Sequence, residues 1–306
     1  TNTSAEYNPV HNNRNRVTGI FYHDEYDNSS PEVFDNAIFY NYDIHGNVDE
    51  MAQRISPSVL TVDGHPNGII KNVKYKYDLI SGNVNRVTYQ SNGSDLFIHK
   101  YNYDADNRIT SVETSKDDVI WEKDASYEYY EHGPLARTIL GDKKVQGIDY
   151  AYTLQGWLKV VNGEDINNSD NVIANDGKPG TTADAFGYSL NYFDGDYKAI
   201  NDTGNSDFKP LMHSRGVIAA NPKNLYNGNI KQMTTTILKN DGTILPAQKN
   251  NYTYDQLNRI SGMTSHAFVP SGSGYSSDNV SYSSEYSYDR NGNLKTLKRE
   301  GLNSSL

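Results

Sequence analysis

Aspartate closes a Tyr-x-Tyr pair at Asp43, Asp78, Asp104, Asp255 and Asp289. Carboxylates recurring so regularly raise the question of glycoside hydrolysis, in which two carboxyl groups roughly 5 to 10 Å apart flank the scissile bond. The recurrence itself argues otherwise, because a turn needs the same residue in every copy and a catalytic centre does not. A second acidic run, Asp165-Ile166-Asn167-Asn168-Ser169-Asp170 with Asp176 at the twelfth place, echoes a calcium loop. Its sixth position, where the sharp turn requires Gly, is Asp170, and no flanking segment reads as helix, so the expectation is a solvated loop. His23-Asp24-Glu25 has no second His at a ligand spacing and reads as a solvated strand end. With no Cys there is neither thiolate chemistry nor a cysteine zinc site, and no Gly-x-Ser-x-Gly elbow, phosphate loop or His-Glu-x-x-His pair occurs. The expectation is a protein that is not an enzyme and holds no metal or cofactor.

The element that positions the aspartates is a repeat. Tyr40-Asn41-Tyr42-Asp43-Ile44-His45-Gly46-Asn47-Val48 aligns without a gap on Tyr101-Asn102-Tyr103-Asp104-Ala105-Asp106-Asn107-Arg108-Ile109. It aligns equally on Tyr252-Thr253-Tyr254-Asp255-Gln256-Leu257-Asn258-Arg259-Ile260 and on Tyr286-Ser287-Tyr288-Asp289-Arg290-Asn291-Gly292-Asn293-Leu294. Tyr75-Lys76-Tyr77-Asp78 reaches Gly82-Asn83-Val84 with one extra residue. Tyr127-Glu128-Tyr129-Tyr130 and Tyr150-Ala151-Tyr152-Thr153 keep the frame without the Asp, and half-copies stand at Asn15-Arg16-Val17 and Tyr226-Asn227-Gly228-Asn229-Ile230.

Each position has a physical reason. Two Tyr at i and i+2 share one face of a strand. The Asp accepts a hydrogen bond from the backbone two residues on and so opens a type I turn. Gly or Asn three residues later tolerates the positive φ at which such a turn closes into a bulge. The Arg that follows in two copies can pair with the turn Asp, and the apolar Val, Ile or Leu re-enters the packed face. Equivalent turn positions lie roughly 23 to 35 residues apart, one hairpin plus a connection. The expected fold is therefore all-β: tandem hairpins paired edge to edge in a long twisted sheet, one continuous array over residues 1–306. Long loops are expected over 162–185, 201–222 and 271–279, rich in Asn, Asp, Gly and Ser. Val48 to Ile55 is the one segment given a turn or two of helix.

Composition agrees. Tyr outnumbers Phe by 25 to 8, and its ring packs on a pleated surface while its hydroxyl reaches water or backbone. A net charge of -10 without a basic stripe argues against nucleic acid as a partner, and no apolar run is long enough for a membrane-spanning helix.

On these motifs the chain, from about Asn15 to Leu297, resembles the YD-repeat or RHS-repeat proteins. The blocks Tyr152-Thr153-Leu154-Gln155-Gly156-Trp157-Leu158-Lys159, Phe186-Gly187-Tyr188-Ser189-Leu190-Asn191-Tyr192-Phe193 and Tyr226 to Ile230 look most like the RHS proteins of the Bacteroidetes. The resemblance implies a large secreted or cell-surface polypeptide whose repeats coil as a β-spiral into a hollow shell around a variable C-terminal toxin domain. This chain would be an open arc of that shell, because no segment like the RHS-associated core follows and no self-cleavage aspartate can be carried over. The implied partners are the rest of the shell, the enclosed toxin and bacterial export machinery of the type 9 kind. The competing expectation is an adhesin or carbohydrate-binding module, which would place Tyr or Trp open in a groove.

Overall fold

The computed structural model describes residues 14–23, 34–57, 59, 68–163, 184–197, 223–241, 243, 245–269, 274–275 and 282–301. Among these residues every regular element is a strand. The chain divides into two compact units, Thr1–Ser126 and Tyr127–Leu306.

The first unit holds β1 (Gly19–Tyr22), β2 (Asn36–Tyr42), β3 (Val48–Ile55), β4 (Ile69–Tyr77), β5 (Val84–Tyr89), β6 (Phe97–Tyr103), β7 (Ile109–Ser115) and the start of β8 (Glu122–Tyr129). Each strand pairs antiparallel with the next. Directly opposed residues share a face, so Tyr40, Met51, Val73, Tyr89 and Phe97 form a lateral apolar row across five strands. On the other face Ala37, Ala52 and Ile98 are wholly buried. Burying a side chain the size of Ile98 contributes about 2 to 3 kcal/mol.

Val48 to Ile55 is strand β3, not helix. As the return strand of the Asp43 hairpin it is paired along both edges, with β2 and with β4, and two ladders outweigh the weak local preference of Asp-Glu-Met-Ala-Gln-Arg for helix.

The second unit continues through β9 (Leu135–Leu140), β10 (Gln146–Tyr152), β11 (Leu158–Val161), β12 (Phe186–Asn191), β13 (Gln232–Ile237), β14 (Gln248–Tyr254), β15 (Ile260–Val269), β16 (Gly274–Tyr275), β17 (Ser284–Tyr288) and β18 (Leu294–Arg299). Pairing is again antiparallel between successive strands, except that β15 pairs with both the two-residue β16 and β17. The segment read as a loop over 271–279 thus contains one short strand, held by backbone pairing of Phe268 with Tyr275. One row here, Ala151, Val160, Ser189, Thr234, Lys249 and His266, is buried across six strands. Most of the loop expected over 162–185, all of that over 201–222, the candidate calcium run at Asp165 to Asp176, and Asp24 and Glu25 beside His23, lie outside the described residues.

Candidate functional site

The repeated aspartates sit where a turn needs them. Asp43 Oδ1 accepts from the backbone N–H of His45, Gly46 and Asn47 at 2.7 to 2.9 Å, and its Oδ2 accepts from the Asn47 side chain at 2.9 Å. Asp289 makes the equivalent bonds to Asn291 and Asn293. Where Arg replaces Asn the pairing is charged: Asp104 accepts from Arg108 N and Nε at 2.9 and 2.7 Å, and Asp255 from Arg259 N and Nε at 3.0 and 2.7 Å. Asp78, in the copy with the extra residue, accepts from Ile80 and Ser81. In one of the two copies without Asp, Thr153 Oγ1 accepts from Trp157 N at 3.1 Å and closes the same turn.

These donors set the acidities. The backbone N–H of Arg108 and of Arg259, then their guanidinium groups, hold Asp104 and Asp255 below the usual carboxylate range. Asn293 does the same for Asp289, and Ser81 for Asp78. Partial burial works upward on Asp43, but the Asn47 side chain and three backbone donors outweigh it, and the carboxyl is lowered.

Three residues past the turn opener the backbone is left-handed: Gly46, Gly133, Gly156 and Gly292 have φ of 98°, 114°, 82° and 90°, and Asn107 and Asn258 both 61°. The bulge falls immediately before the second Tyr in each signature hairpin, at Tyr42, Tyr77, Tyr103, Tyr254 and Tyr288. Tyr75, Tyr101, Tyr252 and Tyr286 sit two residues earlier on the same strands, all half-buried, and the Tyr252 hydroxyl donates to Met233 Sδ at 3.8 Å.

The hydroxyls of the second tyrosines reach backward along the chain. Tyr42 donates to the Val17 carbonyl at 2.6 Å, Tyr77 to Val48 at 2.9 Å, Tyr103 to Val84 at 2.8 Å, Tyr254 to Ile230 at 2.8 Å and Tyr288 to Ile260 at 2.9 Å. Each acceptor is the apolar residue just after the preceding turn. Tyr192 donates likewise to Leu158 at 2.7 Å, which reveals Leu190-x-Tyr192 as a further copy whose first Tyr has become Leu. In all six links the residue two after the acceptor is paired with the residue three before the tyrosine: Gly19 with Phe39, Glu50 with Lys74, Arg86 with Lys100, Val160 with Ser189, Gln232 with Asn251 and Gly262 with Glu285. Tyr130 departs from this rule and donates to Tyr150. The turn arginines add to the links, with Arg16 over the Tyr42 ring at 5.3 Å and Arg259 over Tyr288 at 4.6 Å, where it also donates to the Asp289 carbonyl. Burial pushes the pKa of the Tyr77, Tyr103 and Tyr254 hydroxyls up, and that of Tyr192 to about 12.

In the second unit the three separated blocks around Trp157, Tyr192 and Tyr226 come together. Trp157 packs on Tyr192 with ring centroids 5.0 Å apart, Phe193 packs on Tyr226 at 4.8 Å, and a Cβ on Gly228 would lie 3.4 Å from the Trp157 ring. Beneath them Lys159, fully buried, donates to Asp196 at 2.7 Å and Asn191 at 2.6 Å, while the other Asp196 oxygen accepts from Tyr192 N. A second buried pair joins Arg137 to Asp149 at 2.6 Å. These ionic contacts and the tyrosine links are absent from the sequence reading. The only signal for the links is that an apolar residue follows every turn. For Lys159 it is the Asp-Gly-Asp run after Tyr192.

Among the described residues no three His, Asp or Glu gather as a metal site, and each signature Asp is engaged within its own turn. Within each unit, therefore, tyrosine hydroxyls hold hairpins in register on the ones before them, at six places in all among the described residues. No family model matches the sequence, and no curated protein does. Solved structures are similar in fold. Against TcdB2-TccC3 without its hypervariable C-terminal region, the chain aligns over 87% of its length at 15% identity with a TM-score of 0.52, and against TcdB2-TccC3 over 94% at 14% with 0.54. It spans 11% and 13% of those two chains.

Proposed function

We propose that the chain is a wall segment of a large RHS-type shell that encloses and delivers a C-terminal toxin domain, with no chemistry of its own. The observation that carries this is the hairpin-to-hairpin register shared by all six tyrosine links, a construction suited to building an extended wall. The fold likeness to TcdB2-TccC3, a protein with a hypervariable C-terminal region, supports the same reading. The second tyrosines of the signature hairpins are half-buried, their hydroxyls donated to backbone carbonyls, and so are not open to a sugar, although Tyr226 stands exposed. Secretion or surface display, export by a type 9 machine and a source among the Bacteroidetes belong to this reading through the sequence resemblance. Cryo-electron microscopy of the full-length polypeptide tests it. Density enclosed by a curved wall of these hairpins is the expected result; a flat sheet with Tyr or Trp lining an open groove overturns it and directs the next experiment to a glycan array.

A further inference from the structure

The hairpin Ser284 to Arg299 is built like the others. It has the Asp289 turn, Gly292 at φ 90° and the bulge before Tyr288, and it is itself docked through the Tyr288 hydroxyl onto Ile260. Its return strand β18 pairs, among the described residues, with β17 alone. All six of its residues are exposed, Leu294 and Leu297 among them. Leu294 follows the turn as Val17, Val48, Val84, Leu158, Ile230 and Ile260 follow theirs, and each of those six carbonyls receives a tyrosine hydroxyl.

We propose that the edge of β18 opposite β17, unpaired among the described residues, is a docking strand for one further Tyr-x-Tyr-Asp hairpin. The second Tyr of that hairpin donates to the Leu294 carbonyl, and the residue three before that Tyr pairs with Thr296. The register rule fixes the rest: Lys295 faces the first Tyr of the incoming hairpin, as Lys231 faces Tyr252, whose N–H donates to the Lys231 carbonyl at 2.9 Å. A second copy of β18 is the wrong occupant. Lys295, Lys298 and Arg299 crowd the strand, and antiparallel self-pairing would set like charges against each other. The inference stands on register alone and holds whether or not the wall encloses cargo.

The test adds to the intact chain a synthetic hairpin copying residues 248–264, N-methylated along its outer edge so that a single edge can pair. Hydrogen exchange should slow at β18 and not at strands already paired on both sides. In a Thr296→Cys chain, disulfide cross-linking should favour a peptide carrying Asn251→Cys, three before its Tyr254, over one carrying Lys249→Cys on the same face. Tyr254→Phe in the peptide should weaken binding about three- to tenfold, the worth of one net hydrogen bond. Three results would overturn the proposal: no protection of β18, equal cross-linking at both cysteine positions, or protection that rises with the chain's own concentration before any peptide is added.

Discussion

Among the described residues of Thr1–Ser126 the wholly buried side chains are Ala37, Ala52 and Ile98, and ion pairs such as Arg86 with Asp118 and Lys100 with Glu113 lie at the surface. Among the described residues of Tyr127–Leu306 the wholly buried set is Ala151, Lys159, Val160, Asn162, Asp184, Ser189 and Thr234, and two ion pairs lie inside. Both units use the same Asp turn and the same tyrosine link. The difference teaches that the link is indifferent to what the sheet faces bury. In one unit the most deeply buried side chains are apolar and its buried polar groups are uncharged, while the other also buries charged groups that bind one another, an arrangement stable only while its partners are all present.

The largest expected effect would break that contrast. Asp196→Ala leaves the Lys159 ammonium buried without this carboxylate and should cost about 3 to 5 kcal/mol. Urea unfolding followed through Trp157 in a Trp121→Phe background should show the loss, while the transition followed through Trp121 in a Trp157→Phe background stays in place. Equal movement of both would mean that the two units unfold as one and that the contrast has no energetic meaning.

A smaller effect separates strain from crowding. Gly82 has φ 74° with nothing near its missing Cβ, so Gly82→Ala should cost about 1 kcal/mol from backbone strain alone. Gly228 has φ 87° and also the Trp157 ring at 3.4 Å, so Gly228→Ala should cost more in the same denaturation experiment.

The links should not distinguish the units. Tyr77→Phe in the first and Tyr254→Phe in the second each remove one hydroxyl donor, at about 1 kcal/mol apiece by chemical denaturation. A several-fold disparity would show that the two links are not equivalent.

Least per residue, and shared by both units, is the acid response. The folded carboxyls of Asp104 and Asp255 titrate below their unfolded counterparts. Their turns are therefore stabilised above about pH 4, and that contribution is lost as pH falls from there through the folded values. Asp104→Asn and Asp255→Asn should each flatten the dependence of the urea midpoint on pH in this acid window and leave it unchanged near neutrality.

The hairpins, the turn openers and the positive-φ positions are legible in the sequence because each depends on residues a few positions apart. Asp43 and Gly46, or Asp104 and Arg108, determine their geometry within one turn. The tyrosine links are not legible, since the acceptor of Tyr192 lies 34 residues earlier and is a carbonyl, which carries no residue-type signal. Lys159 looks like any strand lysine until Asp196 comes round to meet it. The helix expected at Val48 to Ile55 fails for the same reason: local preference was read where two neighbouring strands decide.

The links are formed across separations of 19 to 34 residues, yet the pairing they accompany never slips. A lockstitch behaves this way: each loop of thread is caught by the one before, and the slack between catches does not alter the seam. Insertions and deletions in the outer connections are therefore free to accumulate without turning any strand over. A single residue gained or lost between a turn and its tyrosine would reverse which side chains face which way, and every later stitch would inherit the error.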